Sequence, residues 1–199
     1  MPLRLRSAGG GGVTLKPPVA MSTEAAIEVP AYDGAKMLTD KSPGAVLQVL
    51  QAFKSDIWSS STTTWVDIPG LAVTITPKFA SSKFLIQTFL GRVSVNGTSW
   101  YSIPFRFTRN GVGIGVGDAA GSRAQAGLSV SHNDGPYDGN GAMMFLDSPN
   151  TLSPITYSLQ TMGHGSGIVQ LNYSESNVDQ AIGVYSRNSS NMIVMEVAG

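Results

Sequence analysis

The chain has 199 residues, no net charge at pH 7, only 13% charged residues and not one cysteine. Disulfide staples, zinc–thiolate sites and cysteine nucleophiles are thereby excluded, and no basic field exists to draw in nucleic acid or an anionic membrane. No stretch approaches the roughly 20 apolar residues of a membrane span, so neither nucleic-acid binding nor membrane insertion is expected, and the length suits one buried domain with a tail to spare.

Met1 to Arg6 alternate apolar and basic residues and lack the apolar core of a secretory signal. Gly9 to Gly12 follow as a four-glycine run, which is costly to fix in one conformation and reads as a flexible joint. From Val13 to Leu47 the sequence VTLKPPVAMSTEAAIEVPAYDGAKMLTDKSPGAVL gives two short extended pieces, a Gly turn and a second turn at Pro43-Gly44. Ordering such a thread costs roughly 1–2 kcal/mol per residue. Scattered apolar residues such as Val13, Leu15, Val19, Ile27, Val29 and Leu38 cannot return that within one chain at about 25 cal/mol per Å² buried. The thread is therefore expected to be disordered or buried against other chains.

Next comes VLQVLQAF, whose Val46, Leu47, Val49, Leu50 and Phe53 have helical spacing; its shortness and the β-character of all that follows favour a strand. From Leu71 a period of two recurs, with Leu71, Val73 and Ile75 on one face, and again at Phe105–Thr108, Leu128–Ser131 and Ile155–Leu159, the chain closing on Met192–Val197. Phe84 to Val93 is more continuously apolar, as expected of a strand buried on both faces. Asn96-Gly97 and Asn110-Gly111 are hairpin signals. Eight or more short strands with turn chemistry between them predict an all-β protein, a sandwich or jelly roll.

Candidate chemistry is sparse. The glycines at 111, 113, 115 and 117, with GVGDAA, mimic a dinucleotide loop, but another β-like run follows where that mechanism needs a helix. Close backbone approach explains them better, and no cofactor is expected. The loop Ser131–Gly141 (SHNDGPYDGNG) is the richest polar constellation. Asp134 and Asp138 with Asn133 and Asn140 could ligate calcium through oxygen, but EF-hand spacing and a closing Glu are missing. A solvated loop is the simplest reading; a ligand-contacting loop, with His132, Asp134, Tyr137 and Asp138 meeting a sugar, is the alternative. The second histidine, His164, lies in GHGSG, without the G-x-S-x-G elbow of a hydrolase. Nothing in the sequence selects a carboxylate pair of the kind a glycosidase uses. Of the tryptophans, Trp65 in an alternating run reads as a packing residue of the core or of a subunit seam, while Trp58 and Trp100 stand near turn residues and read either as exposed, sugar-binding faces or as partly buried at a trimer seam. The sequons at Asn96, Asn172 and Asn188 are common by chance in so Ser- and Thr-rich a chain.

The pattern VTLKPPVAMSTEAAIEVPAYDGAKMLT resembles the linear motif of tailed-phage fibre proteins, in which a strand ending in Leu-Pro-Ala-like residues precedes a Gly turn; here Val29 stands where Leu is common. KSPGAVLQVLQAFKSD is similar to the entry strand of C-terminal domains in marine phage virion proteins. TTTWVDIPGLAVTITPKFASSKFLI, FRFTRNGVGIGVGDAAGSR and NSSNMIVMEVAG resemble the next strands, the central hairpin and the closing strand of that family. The resemblance implies an extended N-terminal fibrous segment followed by a jelly-roll-like antiparallel β-sandwich, assembled as a homotrimer. Residues 1–12 would be a flexible virion anchor (Leu3, Arg4, Leu5, Arg6), 13–44 an intertwined shaft and 45–199 the head. Leu15, Ile27, Val29 and Trp65 would pack the trimer. The implied role is a non-enzymatic virion surface appendage, a short tail or baseplate fibre that joins other phage proteins through its N-terminus and a host-surface glycan through its head. A capsid head fibre or decoration protein is the alternative. A polysaccharide-degrading spike is disfavoured, because no β-helix repeat is visible.

Overall fold

The computed structural model describes residues 3–6, 12–15, 42–96, 101–132, 139–165, 167–174 and 177–199. They fall into two units, Met1–Met37 and Leu38–Gly199. In the first, β1 (Leu3–Arg6) pairs antiparallel with β2 (Gly12–Leu15), Leu3 opposite Leu15 and Arg6 opposite Gly12. Four expected anchor residues, Leu3, Arg4, Leu5 and Arg6, and the expected packing residue Leu15 lie on this ladder. Ile27 and Val29 lie outside the described residues, as does most of the expected shaft.

The second unit holds β3 (Val46–Lys54), β4 (Trp58–Ser60), β5 (Val66–Ile75), β6 (Lys83–Asn96), β7 (Tyr101–Arg109), β8 (Val112–Ile114), β9 (Leu128–His132), β10 (Gly139–Asp147), β11 (Ile155–Thr161), β12 (Ile168–Leu171) and β13 (Ser190–Val197), with a 3-10 turn at Gly183–Tyr185. Setting aside the short β4, β8 and β12, the first of these strands pairs with the last (β3–β13), the second with the next to last (β5–β11), then β6 with β10 and β7 with β9, all antiparallel. That is one long hairpin. It is wrapped so that β13 also pairs with β6, and β11 with β7. The result is two sheets, β3-β13-β6-β10 and β5-β11-β7-β9, with β12-β4 extending the first beyond β13 and β8 flanking β7 in the second. Eight strands in this nested order are a jelly roll.

Alternation decides which side of each strand faces inward. Leu71, Val73 and Ile75 on β5, Phe105 and Phe107 on β7, Ile155, Tyr157 and Leu159 on β11, and Met192 and Val194 on β13 all point into one core. The period read from the sequence is therefore the period of burial. VLQVLQAF is a strand, and Asn110-Gly111 is a two-residue hairpin turn between β7 and β8, both residues at positive φ (50° and 83°), as a type I′ turn requires.

Two expectations change. Asn96-Gly97 does not join a hairpin: β6, which ends at Asn96, and β7 belong to different sheets, so the chain crosses from one layer to the other there. A turn dipeptide records a local reversal and carries no information on which sheet the next strand joins. The Phe84–Val93 run is not buried on both faces either. Phe84, Ile86 and Leu90 are buried in the core, whereas Phe89 on the opposite face is 48% exposed.

Buried polar side chains fix how the strands meet. Asn172, directly after β12, is fully buried at φ 58°. Its Nδ2 donates to the Lys54 and Asp56 carbonyls (3.0 and 3.1 Å), and its Oδ1 accepts from Ser190 Oγ at 2.8 Å. This one carboxamide ties β3, β12 and β13 together, and such burial leaves no room for a glycan on it. Asn172→Ala strands two carbonyls and a hydroxyl and should cost roughly 2–3 kcal/mol. Asn172→Gly, which tolerates the positive φ, should lose less. Urea denaturation of the two variants measures the difference.

Candidate functional site

The outer faces of the two sheets differ in chemistry. On the β5-β11-β7 sheet the outward residues are polar or small, with Asp67, Thr74, Thr156 and Arg106 among them. Thr74 and Thr156 share a hydroxyl hydrogen bond of 2.9 Å between β5 and β11. Arg106 on β7 donates from Nε and Nη2 to Gln160 Oε1 on β11 (2.9 and 2.8 Å) and lays its guanidinium over the Trp65 ring, 4.1 Å from the centroid. Burial lowers the Arg106 pKa, with Asp67 opposing the shift; the group stays a cation. Trp65 is thus half-buried beneath an arginine of its own chain, in a cation–π contact.

The six-stranded sheet turns a different face outward. The registers place Val49, Met195, Leu85 and Leu146 in one row across β3, β13, β6 and β10. The next row is Gln51, Ile193, Gln87 and Met144, and the third is Phe53, Asn191, Phe89 and Ala142. Met144 is 69% exposed, Phe53 61%, Val49 54% and Leu146 51%. These rows contain no charged residue, and a depression of about 360 Å³ opens beside Phe89, Met144 and Ile193. Sequence reasoning missed this surface. Its signal was the unbroken apolar run of β6 together with the helix-like spacing of β3, which are two views of strands that are apolar on both sides.

Polar clusters within the sandwich are structural. Asp147, buried at the end of β10, accepts from Arg109 Nη1 (2.9 and 3.0 Å) and from the Tyr157 hydroxyl (2.8 Å), joining the two sheets. Burial, and secondly that hydrogen bond, push the Tyr157 hydroxyl far above its ordinary pKa, so it remains a donor. Lys54, buried on β3, reaches the exposed Asp56 carboxylate at 2.9 Å, and this hydrogen bond chiefly lowers the Asp56 pKa.

Glu196 on β13 is completely buried. Its burial acts to raise the pKa, but donors from the Lys78 amide (2.6 Å), Gln48 and the Phe79 amide act against it, and the carboxyl is held below its ordinary value. A depressed carboxylate pKa stabilises the fold above the unfolded value of about 4.3, and that contribution is lost as pH falls through the lower folded value. Glu196→Gln should therefore unfold at lower urea than the native chain at pH 7, with the gap narrowing as pH falls below the unfolded value and Glu196 becomes neutral. Urea midpoints across that range check the sign.

The expected ligand loop is only partly described. His132 closes β9 opposite Tyr101, and the chain passes from there to β10 in the other sheet. Asp134, Tyr137 and Asp138 lie outside the described residues. His164 is exposed in the turn 163–167, where Gly163 N donates to the Thr62 carbonyl at 2.7 Å. Trp58 is half-buried against the core of its own chain, and Trp100 lies outside the described residues. Among the described residues no group of three or more His, Asp or Glu could hold a metal.

Within the glycine run after β7, packing fixes Gly115. Gly115 has φ 60°, and a Cβ there would stand 2.7 Å from the Phe145 ring. No helix follows, so the strand–loop–helix of a dinucleotide site is not formed. Gly115→Ala combines a steric clash with an unfavourable φ and should cost roughly 2 kcal/mol, read as a lower thermal midpoint with an unchanged far-UV spectrum.

The fold and these faces define a jelly-roll β-sandwich. No protein-family model matches the chain, and no curated protein is similar to it. Among solved structures it is similar to infectious bursal disease virus, Gt strain, at 14% identity and a TM-score of 0.37, covering 96% of this chain and 46% of that one. T=1 particles derived from the same virus give 14% identity and 0.34, with 98% and 44% covered. Its VP2 subviral particle gives 15% and 0.33, with 94% and 44% covered. The chain thus spans less than half the length of these proteins, and at such scores no role follows from the likeness.

Proposed function

We propose that the chain is a virion structural protein of a tailed phage, forming a short trimeric appendage. Residues 1–12 attach it, 13–44 intertwine with sister chains, and the jelly-roll head faces outward. The observation that carries this reading is the pairing of a nested eight-strand jelly roll with a long N-terminal segment too poor in apolar residues to order itself. Jelly rolls serve capsids, lectins and cupins alike, and a fold alone does not choose among them. The choice rests on the resemblance of the thread and head motifs to phage fibre proteins. Three identical heads, each binding a host-surface glycan weakly, would gain avidity by engaging together. Capsid head fibre and decoration protein are the same architecture anchored elsewhere on the particle.

Light scattering on the full chain should give three times the 20.9 kDa chain mass. A single-chain mass would remove the intertwined thread and the appendage with it. Incubation with host capsular polysaccharide should release no new reducing ends; release would move the reading to a depolymerase.

A further inference from the structure

An antiparallel sheet in a two-layer sandwich ordinarily alternates apolar residues inward and polar residues outward. The β5-β11-β7 sheet obeys this rule and the six-stranded sheet does not. Within the three rows its outer surface is apolar apart from the carboxamides of Gln51, Gln87 and Asn191, and exposed Lys83 stands at the edge of the rows, at the start of β6. With strands about 4.8 Å apart and about 3.3 Å per residue, the face measures on the order of 400 Å². That is about as large an apolar patch as a monomer leaves in water, and about half of what each partner buries in a standard interface.

We propose that this face is a self-association surface, covered in the assembled protein by a second copy of the chain. The proposal deepens the homotrimer of the preceding section and rests on it: the heads, and not the thread alone, hold the copies together. Charge selects the occupant. A basic or acidic partner would bury unpaired charges against rows that hold none, at high cost. A copy of this chain brings apolar side chains and carboxamides, and a carboxamide carries both a donor and an acceptor, so it can pair with its own kind. Like meets like here without repulsion. The polar outer face of the other sheet, with Asp67 and Arg106, is left to solvent or ligand.

The chain has no cysteine, so one introduced thiol is a unique probe. Met144→Cys places it on the apolar face and Thr74→Cys on the polar face, both at exposed positions of the protomer. In the native full chain, maleimide labelling of Met144→Cys should be slower than that of Thr74→Cys by about tenfold or more, and the rates should converge in urea. Leu146→Cys repeats the test at a second site. Light scattering on the same samples separates the outcomes. A multimer in which both faces label equally fast overturns the head interface and leaves the thread-held trimer standing. A single-chain mass with fast labelling overturns both. A single-chain mass with slow labelling means that the chain covers its own face, which overturns the second copy as occupant.

Discussion

A strand that is apolar on both sides cannot be satisfied by a two-layer sandwich, and β6 is such a strand. It is the spine of the larger sheet, pairing with β13 and β12 along one edge and with β10 along the other. Its inward residues Phe84, Ile86 and Leu90 nucleate the core. Its outward Leu85 sits between Met195 and Leu146, and its outward Phe89, still 48% exposed, sits between Asn191 and Ala142. Everything else in the head follows from accommodating this strand: it needs a partner sheet on one side and another apolar surface on the other. One requirement is met by the fold, and the second points beyond the chain.

Polar groups fix the arrangement that apolar burial permits. Hydrophobic contact is non-directional and would tolerate several registers. The Asp147 carboxylate, held by Arg109 and Tyr157 from the opposing sheet, tolerates one. Glu196 does the same for the end of β13, against Gln48 and the Lys78 amide. A buried charge left without these donors would be costly, so mispaired strands are penalised more than native ones are rewarded.

How much of this was legible depends on the range of the interaction concerned. Alternation along one strand is local, so Leu71, Val73 and Ile75 or Phe105 and Phe107 announced both their strands and their inward faces. The Asn110-Gly111 turn was equally local. The long-range facts were not readable: Asn96-Gly97 looked like the same signal, yet the strand after it joins the other sheet. Glu196 and Gln48 stand 148 positions apart, and no pattern in the sequence says they meet. The apolar face lay between these cases. Its residues were visible as excess hydrophobicity in VLQVLQAF and Phe84–Val93, which resolved into a helical period in one and double burial in the other. Both distortions arise because outward positions of β3 and β6 are apolar, whereas periodicity rules presume a polar outer face.

The division between the two sheets bears on where a ligand could act. In the proposed trimer the six-stranded sheet faces the sister chains, which leaves the β5-β11-β7 face and the loops between sheets for the surroundings. The Trp65–Arg106–Gln160 cluster lies on that side, an aromatic surface capped by a cation that is itself held by an amide. An arginine so fixed loses little entropy on contacting a ligand hydroxyl or carboxylate. Each such contact is weak alone, but a threefold array presents it at three fixed positions, and avidity then depends on the rigidity of the head seam as much as on the contact itself. A seam built from apolar rows with no charges is insensitive to salt, so the spacing of the three faces would persist where electrostatically held assemblies loosen.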